Sequence, residues 1–207
     1  MNKESKINLK LISGFIILVI IIVNYAQGFK PSSDDYINHW KCNYSCLSLN
    51  TNIHATDETG RDVTIKGNVF RVVTDPLTMK DKNGTVIGYA GDTYNFVTQD
   101  SHGIYTGNTF CVNVDGKFKF FGDEYSVLDG EGKKIAEAKF NVLDTKGKLY
   151  SENTLIAEYI SKPLRKDYEV YIYENTDVFS DDSIMLIFAS YVSDKSFDER
   201  SSMRSKK

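Results

Sequence analysis

From Val63 onward the chain alternates apolar and polar residues in short runs, separated by turn residues. "VTIKGNVFRVV" (63–73) alternates around Gly67. It is followed by "LTMKD", "TVIGYA", "TYNFVT", "TFCVNV", "KFKFF", "EYSVLD", "KKIAEA", "KFNVLD", "GKLYS", "TLIAEYI" and "YEVYIY". A period of two reads as strand, and about twelve short strands without helical spacers exclude a parallel βαβ fold. The pattern predicts a mainly β domain over 62–197, an antiparallel sandwich or a closed barrel.

The breaks between runs carry turn chemistry. Asp81–Gly84, Asp129–Gly132 and Asp144–Gly147 all read D-x-x-G. An Asp side chain caps such a turn, and Gly supplies the positive φ that a reversal needs. "MKDKNGTVIGYA" and "VLDGEGKKIAEA" superpose with Asp81 on Asp129, Gly84 on Gly132 and Ile87 on Ile135, an offset of 48 residues. The match suggests repeated β-meanders.

The pattern changes at "SIMLIFASYV" (183–192), where apolar residues cover every face at helical spacing. Met, Leu and Ala favour helix, and Asp181, Asp182 and Ser183 are N-cap candidates that also complement the helix dipole. Ten to thirteen helical residues span roughly 15–20 Å, too short for a bilayer but about the depth of a small barrel. The interior of a twelve-stranded barrel is too wide for strand side chains alone to fill, and this helix is the natural plug. The tail 198–207 ends basic, with Arg200, Arg204, Lys206 and Lys207, and reads as a disordered, solvated end. Its functional alternative is contact with anionic lipid.

The N-terminus, residues 1–28, differs in kind. Lys3, Lys6 and Lys10 precede an uncharged run from Leu11 to Val23, which extends to Gln27 at the lower length limit for a membrane span. "AQG" (26–28) offers small residues for cleavage as a signal peptide, whereas the Ile-rich core favours retention as a signal-anchor. Retention is the preferred reading. The lysines before the segment place the following domain outside the cytoplasm by the positive-inside rule, giving a single-pass membrane protein.

Residues 29–61 read as a linker or strap. "KPSSDD" and "TDETG" have turn composition, and between them lie the only Trp, Trp40, and two of the three cysteines. In an exported domain Cys42 and Cys46 have the spacing for a small-loop disulfide, leaving Cys111 as a buried strand thiol. His39, Cys42 and Cys46 lack a downstream ligand pair, so no metal site is expected. Trp40 packs on the barrel or sits at a membrane interface. Sequons at Asn43 and Asn83 matter only in a glycosylating host.

Candidate chemistry is sparse. A net charge of −3 argues against nucleic acid as a partner. No G-x-S-x-G or H-E-x-x-H motif occurs, and His39, His54 and His102 are isolated and read as loop residues. "GEGKK" (130–134) lacks Walker spacing and precedes a strand, and the 81–92 stretch has its glycine at the wrong position for a calcium loop. Asp177, Asp181 and Asp182 are better read as helix capping than as paired catalytic carboxylates. No catalytic, cofactor-binding or metal residue is nominated, and no cofactor is expected.

"GNVFRVV" (67–73), the "LTMKDKNGTVI" and "YSVLDGEGKKIAEAKF" hairpins, "YEVYIY" and the closing "IMLIFASYVSD" resemble the LURF-one-related and tubby C-terminal-like proteins, a superfamily that includes the phospholipid scramblases. The resemblance covers about Asp62 to Phe197. It implies a closed, twelve-stranded antiparallel barrel around a hydrophobic C-terminal helix, here preceded by one membrane helix. The tubby lipid-binding motif and the scramblase cysteine cluster are absent, so no binding residue carries over. The expected function is a membrane-anchored, non-enzymatic binding domain for a lipid headgroup, envelope component or protein. The alternatives are a scramblase-like lipid mover and a structural module secreted after cleavage. The membrane partner is engaged through residues 11–27.

Overall fold

The computed structural model describes residues 29–45, 50–68, 76–92, 101–117, 123–141, 144–161 and 167–204. Pro31 to Lys207 form one compact unit. The runs at 93–98 and 118–121, Cys46 and the membrane-directing segment lie outside the described residues. Among the described residues no helix is long and apolar enough to cross a membrane.

Twelve strands form the barrel: β1 (Asn38–Ser45), β2 (Asn50–Asp57), β3 (Asp62–Asn68), β4 (Leu77–Asp81), β5 (Val86–Asp92), β6 (Ser101–Thr106), β7 (Thr109–Lys117), β8 (Glu124–Leu128), β9 (Lys134–Phe140), β10 (Lys146–Ser151), β11 (Thr154–Ser161) and β12 (Asp167–Ile172). Each pairs antiparallel with its neighbours in sequence, and β1 closes the barrel against β12 with Trp40 opposite Val170 and Cys42 opposite Tyr168. Closure leaves no unpaired strand edge. Helix α1 (Asp181–Arg204) follows.

The count of twelve agrees with the sequence pattern, but its membership does not. The segment assigned to a linker supplies β1 and β2, so the barrel begins at Asn38 and not at Asp62. "SHGIYT" supplies β6, and the start of "KFNVLD" continues β9. In β1 the inward residues Trp40, Cys42 and Tyr44 are buried and alternate with exposed Lys41 and Asn43.

The inward positions explain how a helix fits inside. Ala55, Gly88, Ala90, Ala136, Ala138, Gly147 and Ala157 are small, and all are buried. A methyl group on Gly88 would lie 2.8 Å from the Tyr105 carbonyl oxygen and 2.9 Å from the Leu186 side chain, so the helix passes this strand with no space for a larger residue. From Ser183 to Asp194 every residue of α1 is buried. Phe188 and Tyr191 pack among Tyr125, Phe140 and Tyr159, with Phe140 and Tyr191 stacked at 3.5 Å between ring centroids.

Helix α1 is longer than its apolar stretch predicts. It runs 24 residues, through Arg204, so the tail read as disordered is helical to that point. Its N-cap is Ser180, not an aspartate: the Ser180 Oγ accepts from the Ser183 amide at 3.3 Å, and the Ser180 carbonyl accepts from the Ile184 amide at 3.0 Å.

The turn reading holds for two of its three members. At Asp81 and Asp129 the Asp Oδ1 accepts from the amides two and four residues on, at 2.8–2.9 Å, and Gly84 and Gly132 take φ of 83° and 80°. A third copy starts at Asp57, with Thr59 and Arg61 donating and Gly60 at φ 83°. The 144–147 segment is different. Gly147 lies within β10, and the reversal is made by Asn141, whose Oδ1 accepts from Thr145 and Lys146, with Asp144 at φ 52°. Gly147 is there for space, because a Cβ would sit 2.3 Å from the Phe140 ring.

Candidate functional site

The barrel interior is occupied, and both ends of the buried helix are tied by matched charges. At the N-terminal end Asp182 pairs with Arg61 at 2.7 Å, and the Arg61 guanidinium lies 5.5 Å from the Trp40 ring. Asp181 accepts from Asn38, from Trp40 Nε1 at 3.4 Å and from Asn175 at 2.8 Å. Trp40 is therefore a wall residue of the interior, 0 % exposed, and not an interfacial anchor.

At the far end the inward His102 of β6 places Nε2 3.0 Å from Asp194, with side chains 4 % and 3 % exposed. Ser193 meets Thr51 at 3.1 Å, Tyr191 Oη donates to Asp144 at 2.8 Å, and Lys195 pairs with Asp144. Burial and the Asp144 charge push the Tyr191 hydroxyl well above its ordinary pKa, keeping it a donor. A His beside an Asp and a Ser resembles catalytic parts, but at this burial a substrate would have to enter between wall and helix. The set is read as helix anchoring.

None of the histidines is a loop residue. His39, His54 and His102 stand on β1, β2 and β6. His39 stacks on Tyr171 at 4.3 Å, with Glu58 at 3.2 Å from Nδ1 and Glu169 at 3.4 Å from Nε2. His54 pairs with Asp62 at 3.0 Å.

The expected Cys42–Cys46 bridge is also corrected, since Cys42 is a free, buried thiol whose pKa burial pushes up. Cys111, on β7, is half-buried and near Thr106 Oγ1 at 3.2 Å. Among the described residues no group of His, Cys, Asp and Glu is arranged to hold a metal ion.

Among the described residues two grooves open on the outer face of the barrel. A groove of about 590 Å³ crosses β9 and β10 between Lys134, Glu137, Lys139, Tyr150 and Glu152. Its charges are largely spent on one another: Lys134, at 2.7 Å, and Lys139 hold the Glu137 carboxyl down to about pH 2.

A second groove, about 350 Å³, lies over β3 and β4 and is lined by Asp62, Thr64, Lys66, Lys80, Asp81 and Lys82. The register sets Thr64 opposite Lys80 and Lys66 opposite Thr78, so these side chains share the outer face. Here the acids are engaged elsewhere, Asp62 with His54 and Asp81 with its turn amides. Lys66, Lys80 and Lys82 are exposed, and among the described residues none of their side chains makes an ion pair or hydrogen bond.

No family model, curated protein or solved structure matches the chain. The lysine groove was not nominated from sequence, because Lys66 and Lys80 meet only through the β3–β4 register. Its one sequence signal is that both occupy the polar phase of adjacent alternating runs.

Proposed function

We propose that this chain is a non-enzymatic binding module, anchored in a membrane by residues 11–27 and facing out of the cytoplasm, whose β3–β4 groove takes the anionic headgroup of a lipid. The observation that carries it is the contrast in charge. Lys66, Lys80 and Lys82 converge on one outer groove without acidic partners, while the interior is occupied by a buried helix. A barrel closed around a C-terminal helix also supports grouping the chain with the tubby C-terminal-like proteins it resembles.

Basic residues near an anionic surface contribute about 1 kcal/mol each, so three give roughly a hundredfold in affinity. Flotation of residues 31–207 with vesicles checks this. Phosphatidylserine-containing vesicles recruit the domain, neutral phosphatidylcholine vesicles do not, and K66E/K80E/K82E abolishes recruitment without lowering stability. Absence of recruitment by any anionic vesicle rejects the lipid reading. Protease digestion of a C-terminal tag on intact cells tests the orientation, with protection of the tag contradicting it.

A further inference from the structure

Glu158 sits on the outer face of β11, opposite Lys148 of β10 and Tyr171 of β12, yet it is 0 % exposed. An outward carboxylate on a barrel ordinarily meets water. This one meets the chain that precedes β1. The Ser32 amide donates to Glu158 Oε2 at 2.6 Å and the Ser32 hydroxyl donates to Oε1 at 2.9 Å. From the barrel side Tyr173 Oη donates at 3.1 Å, Lys146 Nζ lies at 2.9 Å and Lys148 Nζ at 3.7 Å.

A second contact lies a few residues on. Tyr36 packs edge-on against Tyr171 at 5.1 Å and against His39 at 5.8 Å, and the Ile37 amide donates to the Ile172 carbonyl at 2.7 Å. Between these points the segment has no regular secondary structure, and Asp34, Asp35 and Ile37 are exposed.

We propose that Pro31–Ile37 is a releasable strap, latched to the barrel by the Glu158 carboxylate, which opens from β11 and β12 without unfolding the barrel. The energetics of the two states differ from those of a barrel strand. Closed, the carboxylate gives up water for the two Ser32 donors and keeps Lys146. Open, it regains water and still keeps Lys146, so release strands no buried charge. Removing a strand would instead break a ladder on both sides. Local opening with a cost well below global unfolding is what such a segment permits. Released, Ser32 is tethered to Asn38 by six residues, about 20 Å of extended chain.

Amide hydrogen exchange resolved by residue, on the full chain in detergent micelles, tests the latch. In the unmodified protein the Ser32 amide exchanges about tenfold or more slowly than that of Asp34, which makes no such bond. E158A brings Ser32 to the Asp34 rate while Tyr159 and Val170 keep their protection, and E158Q, which retains an acceptor oxygen, falls between. If E158A lowers protection throughout the barrel, S32P decides, because it removes the donor and leaves Glu158 in place. It then speeds Ile37 exchange about tenfold with the strands unchanged. The proposal is overturned if Ser32 is unprotected in the unmodified protein, if E158A leaves its rate unaltered, or if S32P does not free Ile37.

Discussion

The space enclosed by the barrel and the outer surface of β3 and β4 treat charge in opposite ways. Inside and at the helix ends, Asp182 has Arg61, Asp194 has His102, and Lys195 has Asp144. Outside, Lys66, Lys80 and Lys82 line one groove whose aspartates are committed to a histidine and to a turn. A buried charge without a partner costs several kcal/mol, so a partner for Asp194 is what folding alone demands, and the half-exposed Arg61–Asp182 and Lys195–Asp144 pairs follow the same pattern at the helix ends. Exposed lysines cost almost nothing unpaired, and folding does not require three of them to converge. The interior pairs are thus explained by stability, and the groove is where a binding function has its support.

Substitutions widen or close that difference in a definite order. The largest effect is expected from Phe188→Ala, which opens a cavity where the helix meets Phe140 and Tyr159. The loss is about 3–5 kcal/mol in chemical denaturation. Next, Gly147→Ala drives a methyl into the Phe140 ring and destabilises by roughly 1–3 kcal/mol, read the same way.

A smaller effect separates the two outer grooves. The Glu137 carboxyl is held down to about pH 2, below the ordinary carboxylate value near 4.3, by Lys134 and Lys139. Its stabilisation is therefore complete above the unfolded-state value and disappears as pH falls toward 2. The gap in denaturation midpoint between the unmodified protein and E137Q is expected to close over that window. It is worth no more than about 1 kcal/mol, because the ion pair is exposed. Smallest of all is the stability change of K66E/K80E/K82E, within about 0.5 kcal/mol, although this variant loses vesicle binding.

Much of the architecture was legible in the residues, and the failures have physical causes. Short alternating runs and the all-round apolar stretch at 183–192 specify a β domain with a buried helix, because burial dictates both patterns. β1 and β2 escaped notice because their outward positions carry His39, Lys41, Asn43 and His54 beside a polar approach, a composition that reads as linker. Only the ladder shows that Trp40, Cys42, Ile53 and Ala55 share the inner face. Gly147 looked like a turn glycine because D-x-x-G does not distinguish a positive φ from a need for space. The helix outran its apolar segment because helix-forming Glu199, Arg200, Met203 and Arg204 extend it without continuing the apolar run. The lysine groove and the Glu158 latch were illegible for one reason: both join residues that only strand pairing or long-range packing brings together.

The central claim is that helix α1 fills the barrel and leaves ligand binding to the outside. Trp40, the only tryptophan, is 0 % exposed and its indole nitrogen lies 3.4 Å from Asp181 at the head of that helix, so its fluorescence reports the plug directly. Acrylamide quenching of the full chain is expected to be slow, with blue-shifted emission, and to rise to that of a free indole when the chain is truncated after Ser180. Free-indole quenching in the full chain, or protection unchanged by the truncation, would contradict the account.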